Sequence, residues 1–263
     1  MILDFYKYEG TGNDFVLIDD RIGSVNMNAK QVAKICDRRF GIGADGVILL
    51  RNKIGYDFEM IYYNSDGNLS SMCGNGGRCI MSFARKLGIV KDKAIFWAAD
   101  GRHEAELISA DPDIIKLKMN DVSVIEEKAS GWFLDTGSPH LVMQVSELTS
   151  MDVRQQGRSI RNGMDFKEQG VNVNFSEISG DGISVRTYER GVEDETLSCG
   201  TGVTATALVA MLNNWKGATE VPVKVSTPGG VLFVHAVQKK NSFENIWLEG
   251  PGTFVFKGEM QIS

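Results

Sequence analysis

One pattern occurs twice in this chain, and it constrains the fold more than any other feature. Tyr63-Asn-Ser-Asp-Gly-Asn-Leu-Ser-Ser-Met-Cys73-Gly-Asn-Gly76 and Tyr188-Glu-Arg-Gly-Val-Glu-Asp-Glu-Thr-Leu-Ser-Cys199-Gly-Thr-Gly202 share one plan. Each leaves an apolar stretch at a tyrosine, crosses a polar loop, and enters a helical segment through Cys-Gly-x-Gly. The tyrosine-to-cysteine spacing is 10 in the first copy and 11 in the second, and the cysteines stand 126 residues apart in a chain of 263. A period near half the length, with strand, loop and helix all repeated, reads as a duplication. No Pro- or Ser-rich linker divides the halves, so the boundary is expected near 119–122, giving domains 1–119 and 120–249.

The rest of the pattern is short apolar runs rich in Val, Ile, Phe and Tyr between glycine turns. They predict strands at 3–8, 15–19, 47–51, 58–63, 94–98, 103–109 and 114–119. In the second half they predict strands at 132–135, 141–145, 171–175, 183–188, 221–226, 231–237, 245–248 and 253–256. Three helices are expected. One follows a cap at Asn28 and places Ala29, Val32, Ala33, Cys36 and Phe40 on one face. A second spans 75–87 and stops at Gly88. A third spans 200–214 and is apolar nearly all round, which predicts burial. The fold class is therefore α/β (α+β), with many strands around buried helices.

A cysteine at a helix N-terminus feels the positive end of the macrodipole, which favours thiolate and lowers its pKa. The N–H groups that follow in Gly-x-Gly make an anion cradle. Each loop thus pairs a reactive sulfur with a seat for a carboxylate or enolate. Two such loops suit proton transfer at a carbon beside a carboxylate, one thiolate removing a proton and the opposite thiol returning one. Other uses of the cysteines fit worse. Zinc wants Cys-x₂₋₄-Cys pairs, and Cys73 and Cys79 are separated by five residues, so no metal is expected. Thioredoxin-type chemistry wants Cys-x-x-Cys, which is absent. Cys36 and Cys79 sit within helical patterns and read as small buried hydrophobes.

These motifs closely resemble the diaminopimelate epimerase family over nearly the whole chain. The resemblance is carried by Gly12-Asn13-Asp14-Phe15, the run Arg39 to Gly46, Tyr63 to Gly67, Met72 to Cys79, Pro139-His140, Val171-Asn172-Val173, and Tyr188 to Gly202. It implies two pseudo-symmetric domains, each a β-barrel-like sheet wrapped around a central helix, with the active site between them. It also implies that the tail 250–263 returns to the first domain. The implied reaction interconverts LL- and meso-2,6-diaminopimelate without a cofactor, on the route to lysine and peptidoglycan precursor. Cys73 would donate and Cys199 accept the proton in the LL-to-meso direction. Gly74, Asn75, Gly200 and Thr201 would cradle the reacting carboxylate. Asn13, Asn64 and Asn172 match substrate-binding asparagines, Arg190 would hold a carboxylate and Glu189 an ammonium. His140 and Glu189 would tune the cysteine pKa values. An epimerase or racemase of the same fold acting on hydroxyproline or another amino acid is the alternative. A thiol redox sensor is another, and a Cys73–Cys199 disulfide is expected on oxidation if their Cα atoms approach within ~7 Å.

Three positions depart from the family pattern. The loop between Gly191 and Thr196 is one residue longer than usual, Ser138 stands where asparagine is more usual, and Gly46 stands where some members have glutamine. The wider composition limits partners. A net charge of −6, from 28 basic and 34 acidic residues, with no basic run argues against nucleic acid. The longest strongly apolar stretch, 205–212, is far below the ~20 residues of a membrane span. The first fifteen residues show no basic region followed by an apolar core, so a cytoplasmic location is expected, with the cysteines reduced. The resemblance leaves a homodimer open.

Overall fold

A computed structural model describes residues 2–180 and 182–261. The predicted tail 250–263 is thus described as far as residue 261, and its last two residues lie outside. The chain divides into two compact units, Met1–Leu117 with Gly250–Ser263, and Lys118–Glu249.

In chain order the first unit carries β1 (Ile2–Gly10), β2 (Asn13–Asp19), α1 (Ala29–Cys36), β3 (Gly46–Arg51), β4 (Phe58–Asn64), β5 (Leu69–Ser70), α2 (Gly74–Lys86), β6 (Lys93–Ala98), β7 (Gly101–Ser109) and β8 (Ile114–Lys118). The second carries β9 (Ile125–Lys128), β10 (Gly131–Asp135), β11 (Pro139–Gln144), α3 (Val153–Arg161), β12 (Asn172–Ser179), β13 (Gly182–Glu189), β14 (Asp194–Thr196), α4 (Gly200–Leu212), β15 (Val223–Thr227), β16 (Gly230–Lys239) and β17 (Ser242–Pro251). A last strand, β18 (Thr253–Gln261), pairs with β1 of the first unit.

The strand orders show why the Cys-Gly-x-Gly pattern recurs. In the first unit the order is β18-β1-β2-β3-β4-β6-β7-β8; the β2–β3 and β4–β6 pairs are parallel and the rest antiparallel. In the second it is β9-β10-β11-β12-β13-β15-β16-β17, with β11–β12 and β13–β15 parallel and the rest antiparallel. The two patterns are the same, step for step. In each unit the first parallel crossover carries a short helix (α1 or α3), and the second carries a small strand followed by the long buried helix.

The long helices form the axes of their units. α2 packs on β1, β2, β3, β7 and β18, and α4 on β10, β11, β12, β13, β15 and β16. In α4, Val203, Leu208 and Val209 are fully buried, each worth roughly 1.5–3 kcal/mol relative to exposure. β3, beside α2, is apolar on both faces, because α1 covers its other side. Val47, Ile48, Leu49 and Leu50 of β3 are all fully buried, with Val47 and Leu49 in one cluster with Val32 and Ile35 of α1.

Some helical expectations change. The Asn28 cap forms as a full capping box with Gln31, but α1 ends at Cys36. Asp37 stops it by accepting the N–H groups of Arg39 and Phe40 at 2.7 Å each, so Phe40 leaves the buried face and is 74% exposed. α3 is not legible in the sequence, since only Val153 and Gly157 of its nine residues are buried. Gly157 is required there, because a Cβ would lie 2.3 Å from Tyr188 Cβ. No helix among the described residues is long and apolar enough to cross a membrane.

Register makes the repeat exact enough to compare residues. Val47 pairs with Tyr63 and Val173 with Tyr188. The parallel pairs Phe15–Gly46 and His140–Asn172 follow one step away. Phe15 therefore corresponds to His140, Gly46 to Asn172, and Ile48 to Asn174.

Candidate active site

Cys73 and Cys199 occupy the N-cap positions of α2 and α4, both in extended conformation and neither capping its helix through the side chain. Ser, Thr, Asp or Asn in that position would stabilise a helix by about 1 kcal/mol. The chain instead keeps a thiol at the positive end of each dipole. The first helical bonds are Gly77 N–H to Cys73 O at 2.7 Å and Val203 N–H to Cys199 O at 2.9 Å. The N–H groups of residues 74–76 and 200–202 precede them, as an anion cradle requires. All four cysteines are free thiols. Burial pushes the Cys36 thiol up to about 12 and raises that of Cys79 as well, so these two stay protonated and inert, as the sequence suggested.

In the first unit, Cys73, Asn75 and Asn13 come together. Asn13 Oδ1 accepts from Asn75 Nδ2 at 3.3 Å and lies 3.6 Å from Cys73 Sγ. A two-residue turn at Thr11-Gly12, with φ of 53° and 86°, sets Asn13 at the start of β2; this is the positive-φ turn that matches strand twist. A β-branched residue is strained there, and Thr11 is held by Arg78, which donates to its Oγ1 at 3.2 Å. Arg78 is wholly buried. It also donates to Asn75 Oδ1 at 3.0 Å, Pro251 O at 3.1 Å and Gly74 O at 3.3 Å. All four acceptors are neutral. Burial lowers its pKa, and its interactions with Cys79 and Cys73 oppose that shift.

Behind Asn13 lies an ionic cluster. Asn13 Nδ2 donates to Asp45 Oδ2 at 2.6 Å, and Arg38 bridges Asp45 and Asp14 at 2.7 Å each. Lys7 pairs with Asp14 at 2.7 Å and donates to Gly43 O. Burial alone would raise Asp14, but the bonds from Arg38 and Lys7 outweigh it and hold the carboxyl at about 2. Asn64 sits apart at the end of β4, where its backbone closes a turn with Gly67 and Asn68. Among the described residues its side chain makes no hydrogen bond to Cys73 or Asn13. Gly46, the position that departs from glutamine, pairs with Asn64; a Cβ there would lie 2.5 Å from the Tyr63 carbonyl and from the Tyr62 ring.

In the second unit, Cys199 Sγ lies 3.4 Å from Thr201 Oγ1, which lies 2.9 Å from His140 Nε2. His140 is fully buried in β11. Burial, with the nearby Arg190 charge, pushes its pKa down to about 3, so the ring is neutral. Asn172 Nδ2 donates to Pro139 O at 3.2 Å, while its Oδ1 accepts the Arg190 N–H at 2.8 Å. The Arg190 guanidinium donates to Gln169 O at 2.9 Å. Glu189 Oε2 accepts the Thr196 hydroxyl at 3.0 Å. The longer loop folds into the β13–β14 hairpin, where Glu193, with φ of 58°, accepts from Gly191 N–H at 3.1 Å and the Tyr188 hydroxyl at 3.2 Å.

Sequence reasoning missed Asn174, Arg78 and the Asp14–Arg38–Asp45 cluster as supports of the site. The signal for Asn174 was strand alternation, which puts 172 and 174 on one face.

Solved structures with this fold carry related names. The chain superposes on a phenazine biosynthesis protein of the PhzF family from Bacillus anthracis with a TM-score of 0.77 at 12% identity, each chain covered in full. A hydroxyproline epimerase from Agrobacterium vitis gives 0.66 at 15% identity, with 98% of this chain and 92% of that one covered. The fold is thus the class shared by that PhzF-family protein and that hydroxyproline epimerase. Sequence narrows this further. The family model described as diaminopimelate epimerase matches residues 5–125 and 132–255. The diaminopimelate epimerase of Flavobacterium psychrophilum is 48% identical over 257 residues, covering 97% of this chain and 99% of that one. That of Chlorobaculum tepidum is 41% identical over 261 residues, covering 96% and 99%. The chain belongs to the diaminopimelate epimerase family and is an epimerase, an enzyme of the isomerase class.

Proposed function

We propose that this enzyme interconverts LL- and meso-2,6-diaminopimelate without a cofactor, by proton transfer between Cys73 and Cys199. The observation that carries the reading is the duplicated placement of a thiol at the N-cap of each unit's axial helix. One thiolate takes the α-proton, the negative charge is held by helix N-terminal N–H groups, and the other thiol delivers a proton to the opposite face. Cys73 donates in the LL-to-meso direction and Cys199 accepts; the roles exchange in reverse. Residues Gly74, Asn75, Gly200 and Thr201 receive the reacting carboxylate. Asn13, Asn64 and Asn172 bind the substrate with Arg190 on its far carboxylate and Glu189 on an ammonium. His140 acts on Cys199 as a neutral hydrogen-bonding group through Thr201. The separate family matches at 5–125 and 132–255 support reading the two units as the duplicated halves. The place of the reaction is the cytoplasm, in the supply of lysine and peptidoglycan precursor.

The test is a substrate panel. Reduced, dialysed enzyme is incubated with LL-diaminopimelate and, separately, with trans-4-hydroxy-L-proline, and products are resolved by chiral chromatography. Conversion of LL to meso alone is expected. Turnover of hydroxyproline instead would replace the substrate assignment with that of the structural neighbour.

A further inference from the structure

Asn174 is fully buried on β12 beside His140, and nothing in the reaction as described uses it. Its carboxamide has one allowed orientation. The Nδ2 group lies 3.1 Å from Leu141 O and 3.4 Å from Asn172 O, while Oδ1 lies 3.0 Å from the Thr187 hydroxyl. Turning the amide over would aim its oxygen at two carbonyl oxygens. Nδ2 therefore faces His140 Nδ1, at 3.0 Å, as a donor. That nitrogen must present its lone pair, so the ring proton sits on Nε2.

The consequence runs to the sulfur. His140 Nε2–H donates to Thr201 Oγ1 at 2.9 Å. With its oxygen already accepting, the Thr201 hydroxyl is left to point its own proton at Cys199 Sγ, 3.4 Å away. The opposite tautomer has one attraction, since Asn172 Nδ2 lies 3.5 Å from Nε2. It would also set two N–H donors against each other at 3.0 Å, and the shorter contact decides. A protonated ring would meet the same conflict. The charged group acting on His140 is Arg190, which also opposes an imidazolium. On the strand bearing Arg190's neighbour, Glu189 is bonded to Thr196. Gly202 makes room for the arrangement: a Cβ there would lie 2.3 Å from Asn174 Oδ1.

We infer that Asn174 is a positioning residue that selects the Nε2–H tautomer of His140 and so directs the Thr201 hydroxyl proton to Cys199. The inference rests on the reading that Cys199 exchanges a proton with substrate, and its test is independent of turnover. Nitrogen-15 NMR of histidine-labelled enzyme, with His140→Gln to assign the signal among the three histidines, should show Nε2 protonated and Nδ1 bare. Iodoacetamide alkylation of Cys199 against pH, in a Cys73→Ala background, reports its thiolate. Asn174→Leu should give mixed or reversed tautomers and about tenfold less Cys199 thiolate at a pH below its pKa, the expected effect of losing a hydrogen bond to a charged group. Thr201→Val should produce the same alkylation shift with the tautomer retained, and Thr201→Ser should restore the profile. A proton on Nδ1 in the unaltered enzyme overturns the inference. So does a folded Asn174→Leu protein with unchanged tautomer and alkylation profile. If Asn174→Leu does not fold, the wild-type tautomer and the Thr201 pair decide, and equal profiles for Thr201→Val and wild type count against it. Failure of the enzyme to turn over diaminopimelate would overturn the substrate reading while leaving these spectra to judge the tautomer.

Discussion

Behind Cys73 the chain places Asn75 and Arg78, with Asn13 beside them; behind Cys199 it places Thr201 and Thr204 at the matching steps, with His140 beside them. The backbone has been repeated faithfully. Arg78 and Thr204 each stand five residues after the cysteine, and each donates to the carbonyl that follows it, Gly74 O at 3.3 Å and Gly200 O at 2.9 Å. Their chemistry differs. The first helix carries a full buried positive charge within its first turns; the second carries only a hydroxyl. Beneath the helices the contrast reverses. The first unit has Phe15 and Ile48 where the second has His140 and Asn174, so an apolar floor matches a polar relay. The comparison teaches that the duplication fixes where each sulfur stands, while side-chain divergence gives each its own electrostatic support. A reaction that needs one thiol and one thiolate at the same time is served by such inequality, because equal sites would have no built-in preference.

The largest expected effect removes a sulfur. Cys73→Ala or Cys199→Ala should each lower epimerisation by at least about 10²–10⁴-fold, the scale of general acid–base catalysis, with circular dichroism unchanged. Near-normal turnover in either variant would break the pairing of the two halves. Next comes the charged support. Arg78→Met strands four acceptors and should cost about 2–3 kcal/mol of stability in urea unfolding, and alkylation of Cys73 should show less thiolate. Its counterpart, Thr204→Val, loses one hydrogen bond and should stay within about 1 kcal/mol of wild type. Similar effects from both would mean that the guanidinium is no more important than the hydroxyl.

A third pair tests the second glycine of each motif. A Cβ at Gly202 meets Asn174 Oδ1 at 2.3 Å, whereas one at Gly76 meets the Ile48 and Met60 methyl ends at 3.1 Å. Gly202→Ala should lower kcat about tenfold by displacing Asn174. Gly76→Ala should be milder, since flexible side-chain ends yield and alanine favours helix. Equal losses would place the requirement in the backbone and not in the polar relay.

The last test reads the pH dependence of stability. His140 is depressed from 6.5 to about 3. Below pH 6.5 the unfolded chain therefore binds a proton that the native ring refuses, and stability falls as pH falls toward 3, by up to about 1.4 kcal/mol per pH unit. Asp14 is depressed from 3.8 to about 2, so its contribution is intact above pH 3.8 and is lost only as pH drops through about 2. Between pH 6.5 and 4 the second unit should weaken while these groups leave the first unaffected. Hydrogen exchange of β11–β12 peptides against β2–β3 peptides, corrected for intrinsic rates, would check this, and parallel losses would contradict it.

Much of this was legible in the sequence, for identifiable reasons. The cysteine loops announced themselves by repetition, and α4 by its lack of a polar face. The strands showed as short β-branched and aromatic runs. What stayed hidden depended on contacts distant in sequence. Nothing near Val153–Arg161 reads as a buried helix, because α3 docks mainly through Val153 and Gly157. Phe40 looked like a continuation of the α1 face, and only the Asp37 turn takes it out. Arg78 sits in a motif that was read for its cysteine and glycines, and its role emerges only where β1, α2 and the 251–252 turn meet. Asn174 carried a weak alternation signal that became meaningful once the register placed it beside His140.

The central claim is that two thiols, one from each unit, move a proton at the α-carbon of diaminopimelate. The most direct measurement is NMR of LL-diaminopimelate with reduced enzyme in deuterated buffer and no added cofactor. The account predicts solvent deuterium at the α-position of the meso product as it forms, and loss of that product in both cysteine variants. Meso product that retains the original proton, or no product from folded and fully reduced enzyme, would contradict it.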